Sequence, residues 1–158
     1  MKSPILVKRY TQGLAGALKD ESEYIAVSRE LAEFQKLLSS HGVLKGTLAS
    51  PFVAARKKAQ VIRDVLARSG FTDKTSRFIL LLLEHRRLDL FGYILEALPV
   101  IWNERGGVAT FEVSSVVPLA DSQKQRLQAE LERLDGGPVF LRYSIDPALV
   151  AGFALQKG

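Results

Sequence analysis

The sequence predicts an α+β protein, with an N-terminal six-helix bundle followed by a small αβ domain. Up to about residue 105, apolar residues recur at intervals of three and four, as on amphipathic helices. After Gly106-Gly107 the period changes to two, which is typical of half-buried strands. With 47% hydrophobic residues, the 158-residue chain can fill such cores. We therefore predict two domains, 1–105 and 106–158.

The first two helices have the most regular apolar stripes. In the first, Leu6, Tyr10 and Leu14 fall on one stripe, and Gly13 and Gly16 lie inside the helix. Because glycine weakens a helix interior, the two glycines predict close approach of another backbone. The second helix has apolar residues at spacings of three and four throughout. Its stripe comprises Tyr24, Val27, Leu31, Phe34 and Leu38.

The third and fourth helices are separated by a proline. Residues 43–48 allow a short third helix, and Pro51 makes the residue before it unfavourable for helix. A fourth helix then begins near Val53, and Gly70 is a natural stop.

The fifth and sixth helices complete the predicted bundle. Thr72 or Asp73 can cap the fifth, over residues 74–86. Residues 78–83 are all apolar, which predicts a helix that neighbours cover on several sides, at the centre of the bundle. The sixth runs from about residue 89 to 104, and Pro99 should kink or split it.

The C-terminal half alternates strand and helix. Alternation around residues 109–113 predicts a strand, and Asp121 or Ser122 can cap the helix that follows. A second strand is predicted over residues 139–145 and a third from about 153 to 156. The side chains predicted on the buried face of the helix are Leu127, Leu131 and Leu134.

Composition and charge exclude several classes of function. The chain has no Cys, which excludes disulfides, thiol catalysis and thiolate-bound zinc. Its longest apolar run, residues 78–83, is far short of the ~20 residues that cross a bilayer, and the N-terminus does not resemble a secretory signal. We therefore expect a cytoplasmic protein. The net charge of +5 and the clusters Arg56-Lys57-Lys58 and His85-Arg86-Arg87 leave a basic nucleic-acid-binding module as the alternative.

A search for catalytic chemistry finds no site. His41 and His85 lack the spacing of a metal motif, and no glycine pair forms a phosphate-binding loop. Carboxylates such as Glu30 and Glu130 are predicted on solvent faces. We therefore predict no catalytic residue, no cofactor and no metal, and a binding or scaffolding role. An enzyme ranks third, and would need a pocket of polar groups near His41 or His85.

Four segments, in order, resemble one protein family. They are Arg-Tyr-Thr-Gln-Gly-Leu at 9–14, Phe-Ile-Leu-Leu-Leu-Leu-Glu-His-Arg-Arg-Leu at 78–88, Val-Ser-Ser-Val-Val-Pro-Leu at 113–119 and Ile-Asp-Pro-Ala-Leu-Val-Ala-Gly at 145–152. These are similar to motifs of the delta subunits of bacterial F-type ATP synthases and of the related oligomycin-sensitivity-conferring protein. The family pattern continues beyond Gly158 with a strand and a helix, so the C-terminal domain is expected to be incomplete.

The resemblance implies a non-enzymatic connector of the peripheral stalk. In the family, a groove between the first and fifth helices holds the N-terminal helix of an alpha subunit, and the C-terminal domain holds the stator b subunits. The chain would then be a peripheral protein at the cytoplasmic face of the bacterial inner membrane, attached through the complex, with no nucleic acid bound. Each groove candidate could instead be a core residue. The candidates are Leu6, Tyr10, Leu14, Phe78, Ile79 and Leu82.

Overall fold

The computed structural model describes residues 3–158 and confirms the predicted α+β class. In these residues, seven α-helices accompany a three-stranded sheet. The chain divides into two compact units, one up to Leu98 and one from Pro99 to Gly158. We call them the helical unit and the αβ unit. The division falls inside the sixth helix. The domain boundary at Gly106-Gly107 stays a prediction.

The helical unit contains all the helices that the apolar periodicity predicts. They are α1 (Pro4–Ala17), α2 (Glu21–Ser40), α3 (Gly42–Ala49), α4 (Ala55–Ser69), α5 (Asp73–Glu84), a 3-10 turn (Leu88–Leu90) and the first part of α6 (Phe91–Arg105). As predicted, α4 stops at Gly70, which has a left-handed φ of 67°. The helix α6 continues through Pro99 and is not split. Burial of Ile94 and Leu98 in the preceding turn stabilises α6 against the hydrogen bond that proline removes.

The core of the helical unit is formed by large apolar side chains from five of its helices. Phe34 of α2 and Phe91 of α6 meet edge to face, with ring centroids 5.3 Å apart. Neighbours do not cover α5 on every side, because its Leu81 is 41% exposed. The buried apolar residues of the unit are Leu14, Ala15, Leu18, Val27, Leu31, Phe34, Ile62, Leu66, Phe78, Ile79, Leu82, Leu90, Phe91, Ile94 and Leu98.

A buried carboxylate joins α2 to the beginning of α5. Glu30, predicted on a solvent face, is only 7% exposed. Its oxygens accept hydrogen bonds from the Thr72 backbone N–H at 3.1 and 3.2 Å, from the Thr72 hydroxyl at 2.8 Å and from the Thr75 hydroxyl. The prediction is wrong because the donors at the N-terminus of α5 satisfy the carboxylate inside the unit. The Thr72 hydroxyl binds Glu30 and does not cap α5.

The αβ unit is a three-stranded sheet with one crossover helix. Its elements after α6 are β1 (Ala109–Ser115), α7 (Asp121–Asp135), β2 (Val139–Ile145) and β3 (Phe153–Lys157). The strand order is β2-β1-β3, with β1 parallel to β2 and antiparallel to β3. Phe111 pairs with Leu141 on one side and Lys157 on the other. The central strand β1 is therefore the only one of the three that is paired along both edges.

The core of the αβ unit is small. It consists of five buried side chains, with Ala109, Leu119 and Leu127 packed beside them. Leu134, predicted on the buried face of α7, is 72% exposed, so that prediction is wrong. Nor does Asp121 or Ser122 cap α7: the helix begins at Asp121, and the Gln123 side chain accepts from the Ala120 N–H. The buried cluster is Phe111, Val113, Leu131, Val139 and Leu141.

Candidate partner-binding groove

Helices α1 and α5 lie side by side and run antiparallel. The Lys74 ammonium, at the start of α5, donates to the Ala17 carbonyl at the end of α1, 2.8 Å away. At the opposite end of the pair, the rings of Tyr10 and His85 have centroids 6.5 Å apart. The end of each helix is thus fixed beside the beginning of the other, and the candidate groove is the surface between these two contacts.

The groove has matching walls. On an α-helix, residues at spacings of four, three and four form one stripe along the axis. On each helix, one such stripe includes both of the residues that contact the other helix. On α1 it comprises Leu6, Tyr10, Gly13 and Ala17, and on α5 it comprises Lys74, Phe78, Leu81 and His85. We call the surface formed by these eight residues the α1/α5 groove.

The α1 wall is open to solvent at its glycine. A Cβ atom added at Gly13 would have no atom of residues 3–158 within 4 Å, and the same holds for Gly16. The close approach predicted for these glycines is therefore not made by the described residues. Gly13 and Ala17 are both exposed and carry almost no side chain. A backbone from outside the chain can approach α1 closely here.

The structure distributes the six predicted groove residues between wall and floor. Leu6 and Tyr10 are half-buried in the α1 wall. Phe78 lies in the α5 wall, 7% exposed, whereas Ile79 and Leu82 are completely buried on the core side of α5. Leu14, 4% exposed, faces the core from α1. Their part in binding a partner stays a prediction.

One wall residue that sequence reasoning missed is Leu81. Residues 78–83 are all apolar, so hydropathy alone does not say which side of α5 is open. The spacing from Lys74 indicates the open side, because Leu81 follows Lys74 by seven residues and therefore lies on the same stripe of α5. At 41% exposure, Leu81 is the most accessible apolar side chain of the α5 wall.

Charges mark both ends of the groove. At the Ala17 end, the Lys74 ammonium lies 2.5 Å from the Glu23 carboxylate and holds the pKa of Glu23 below its usual value. The backbone N–H of Lys19 donates to the same carboxylate. At the Tyr10 end, the exposed cation Arg9 precedes Tyr10 in the sequence and the exposed cation Arg86 follows His85. The Tyr10 end is therefore the more positive of the two.

The described residues offer no catalytic constellation. His41 is exposed and its ring is hydrogen-bonded to its own helix end, through the Leu37 carbonyl and the Ser40 hydroxyl. Two shallow clefts of about 280 and 250 Å³ are lined by neither His41 nor His85. Among residues 3–158, no three His, Cys, Asp or Glu side chains are grouped to hold a metal ion. No helix in that range combines the length and apolar character of a membrane span.

Apolar side chains at helical spacing, beside exposed small residues of α1, are typical of a surface that binds another protein. Comparison with known proteins identifies which. The sequence profile described as "ATP synthase delta (OSCP) subunit" matches residues 6–158. The chain therefore belongs to the ATP synthase delta (OSCP) subunit family. This membership confirms the predicted class, a non-catalytic subunit of the peripheral stalk, and its partners are other ATP synthase subunits.

Several relatives span the whole chain. ATP synthase subunit delta of Geotalea uraniireducens is 23% identical over 158 residues, which is all of this chain and 88% of the relative. The subunit delta of Bartonella bacilliformis is 29% identical, covering 98% of this chain and 82% of the relative. A chain in the cryo-EM structure of the Toxoplasma gondii mitochondrial ATP synthase hexamer shares the fold, with a TM-score of 0.58 and 18% identity over 95% of this chain and 83% of that one.

Proposed function

We propose that this chain tethers the catalytic head of a bacterial ATP synthase to its stator. The helical unit holds the N-terminal helix of an alpha subunit in the α1/α5 groove, and the αβ unit binds the b subunits. Rotation of the central shaft pushes the head around, so a tether must remain bound under torque. Extensive apolar contact suits this role better than exposed ion pairs, which contribute little. Attachment through the complex places the chain at the cytoplasmic face of the inner membrane.

The observation that carries the proposal is the composition of the groove walls. Helix-in-groove recognition uses apolar anchors at helical spacing and a surface that a second helix can approach. Tyr10, Phe78 and Leu81 supply aromatic and aliphatic anchors. Gly13 and Ala17 supply the close approach, in the same way that small residues allow two helix backbones to pack tightly. None of the residues that the structure describes fills the space at Gly13.

The charges at the two ends of the groove favour one orientation of the bound helix. Its Tyr10 end carries exposed cations, whereas at its Ala17 end Lys74 is already paired with Glu23. A bound amphipathic helix should therefore place a carboxylate at the Tyr10 end. Ile79 and Leu82, which are fully buried, support the walls from beneath and do not touch the occupant.

The αβ unit offers a second, separate surface for the b subunits. Phe153 and Leu155 of β3 are 52% and 42% exposed, and Leu134 of α7 is likewise exposed. A cleft of about 280 Å³ lies between α7 and Phe153. Exposed apolar side chains around a concave surface are typical of protein-binding sites. We assign this surface to the b subunits because the groove of the helical unit serves the head.

A matched pair of glycine substitutions tests the groove. In titration calorimetry, a peptide of about 20 residues copying the N-terminus of the same organism's alpha subunit should bind the protein one to one. Gly13→Leu fills the groove and should weaken binding about tenfold or more. The fold should tolerate it, since nothing lies within 4 Å and leucine is the better helix former.

Gly16→Leu is the control. Gly16 is also an exposed glycine of α1 with free space around it, but it lies outside the groove stripe. It should gain helix stability to a similar degree and bind the peptide as the natural protein does. Equal affinity of the Gly13→Leu and Gly16→Leu variants, or absence of peptide binding by the natural protein, would require withdrawal of the groove assignment.

A further inference from the structure

The positive charge of the protein is concentrated in one segment. Residues 34–63 contain six Lys and Arg and no Asp or Glu. The whole chain has 22 Lys and Arg against 17 Asp and Glu, so the remainder has 16 cations and 17 carboxylates and is close to neutral. The six cations are Lys36, Lys45, Arg56, Lys57, Lys58 and Arg63. This segment accounts for the entire net charge of +5.

The cations of this segment are not used by the fold. Five of the six are exposed and Lys58 is half-buried. None of them forms an ion pair within residues 3–158, whereas cations elsewhere in the chain pair with Glu23, Asp73, Glu112, Glu130 and Asp135. Three of them, Arg56-Lys57-Lys58, stand in the first turn of α4, which has no acidic residue and no capping side chain. Cations are unfavourable at that end of a helix, so folding does not explain them.

An exposed aromatic side chain lies beside the three cations. Phe52, in the loop before α4, is 96% exposed, whereas Phe34, Phe78 and Phe91 of the same unit are buried. Its backbone N–H is held by the Ser50 hydroxyl at 3.3 Å. An exposed aromatic side chain followed within the next helical turn by three cations is typical of an interface anchor with a polar rim. We call Phe52 with Arg56, Lys57 and Lys58 the Phe52 surface.

We propose that the Phe52 surface is a second docking site of the helical unit, for an acidic protein segment that carries an apolar side chain. The cations recognise the carboxylates of the segment, and Phe52 packs against its apolar side chain. This proposal goes beyond the α1/α5 groove and does not depend on it, since the two surfaces share no residue.

Two other anionic partners fit the surface less well. Proteins that bind single-stranded nucleic acid interleave several aromatic residues with their cations, and Phe52 is the only exposed Phe, Tyr or Trp between 34 and 63. Binding to a lipid surface uses an apolar helix face, whereas this segment exposes only Val43 and Phe52 as large apolar side chains. Protein binding needs one anchor and a charged rim, which is what the segment provides.

Fluorescence anisotropy with defined probes tests this proposal. The main probe is a labelled amphipathic peptide of about 18 residues, with Leu at spacings of three and four on one helix face and Glu on the other. The comparison probes are the same peptide with Ala for Leu, a labelled single-stranded thymidine oligomer, and vesicles containing phosphatidylserine. The Glu/Leu peptide should bind most tightly, and its affinity should fall as salt is raised.

Two variants assign the binding to the Phe52 surface. Arg56→Glu/Lys57→Glu should weaken binding about tenfold, as charge reversal at an interface does. Unfolding cannot account for that loss, because glutamate in the first turn of α4 favours the helix. The control Lys8→Glu/Arg29→Glu makes the same charge change at two exposed cations of α1 and α2 that lie in neither proposed surface, and should leave binding unchanged. Phe52→Ser should also weaken binding, whereas Val150→Ser, at another fully exposed site, should not.

Three results would overturn the proposal. The first is tighter binding of the oligomer or the vesicles than of the Glu/Leu peptide, which would assign the surface to nucleic acid or lipid. The second is equal weakening by the Lys8→Glu/Arg29→Glu control, which would mean nonspecific attraction. The third is full affinity of the Phe52→Ser variant.

Discussion

The helical unit and the αβ unit differ most in how much of their apolar surface they cover themselves. The helical unit buries fifteen apolar side chains, among them Leu31, Phe34, Ile62 and Ile79 with no exposed surface. The buried cluster of the αβ unit consists of five, and every residue of β3 is exposed. One unit has a deep core with a groove on its surface, and the other has a thin core under an uncovered strand.

Under the proposed function, this difference implies two ways of binding a partner. In the helical unit, buried residues such as Ile79 and Leu82 fix the walls of the α1/α5 groove, so the site is preformed and binding requires little ordering. In the αβ unit, Phe153 and Leu155 remain uncovered on an edge strand. A partner that covers them adds to the core of that unit, so binding there should also stabilise the fold.

The largest expected effect comes from truncating one leucine in each unit. Leu31→Ala removes a completely buried side chain and should lower the free energy of unfolding by about 3–5 kcal/mol. Leu131→Ala removes a side chain that is 5% exposed, and we expect about 2–3 kcal/mol because the thin unit can relax around it. Urea denaturation measures both.

Hydrogen exchange shows where each effect falls. Leu131→Ala should remove protection from β1, β2 and β3 and leave α2 and α5 protected. The buried cluster of the αβ unit has only five side chains, so the loss of one should weaken the whole sheet. Leu31→Ala should lower protection across α2 and α5. Equal loss of protection throughout the chain in both variants would contradict the description of two cores of unequal depth.

The next largest effect concerns the buried Glu30, whose hydrogen bonds join α2 to the beginning of α5. Glu30→Gln replaces one acceptor oxygen by an NH2 group that can only donate, beside the Thr72 N–H and the Thr72 and Thr75 hydroxyls. Leaving a buried donor without its charged acceptor should cost about 1–3 kcal/mol in unfolding free energy. Thermal or urea denaturation measures it.

Glu33→Gln is the matched control, since Glu33 is an exposed residue of the same helix. It should change the unfolding free energy by less than about 0.5 kcal/mol. If the two glutamine variants were equally stable, the hydrogen bonds of Glu30 would not be what links α2 to α5.

Periodicity predicted the elements well because each one must bury an apolar stripe. It located every helix of the helical unit and the three strands, with the bounds differing by a few residues. It failed where a neighbour decides the outcome. Glu30 is buried because α5 presents donors to it, and Leu81 is exposed because the chain covers α5 on only part of its surface. Neither fact is contained in the spacing of residues along one helix.

The candidate groove was predictable only in part, for the same reason. The resemblance to the delta subunits indicated the two helices, and apolar pattern selected residues on them. Apolar pattern alone does not separate wall from floor, so Ile79 and Leu82 were predicted alongside Tyr10. The separation requires knowing which side of α5 meets α1, and the contacts of Lys74 and His85 with α1 provide that information.

The smallest expected effect compares how a helix ends in each unit. The helix α7 of the αβ unit ends at Gly136 with a φ of 79°, whereas after α5 of the helical unit the left-handed position is occupied by Arg86, with a φ of 56°. The turn after α5 is closed by the Arg87 N–H, which donates to the Leu82 carbonyl at 2.7 Å.

A side chain at the left-handed position of Arg86 costs about 1–2 kcal/mol of folding stability relative to glycine. Glycine in turn loses about 0.4–1 kcal/mol because it makes the unfolded chain more flexible. Arg86→Gly should therefore raise the unfolding free energy by about 0.5–1 kcal/mol in urea denaturation. Arg86→Ala keeps the Cβ atom and should give no gain, and Gly136→Ala should destabilise α7. A loss of stability in Arg86→Gly would mean that the Arg86 side chain makes a larger contribution to the fold than its backbone strain removes.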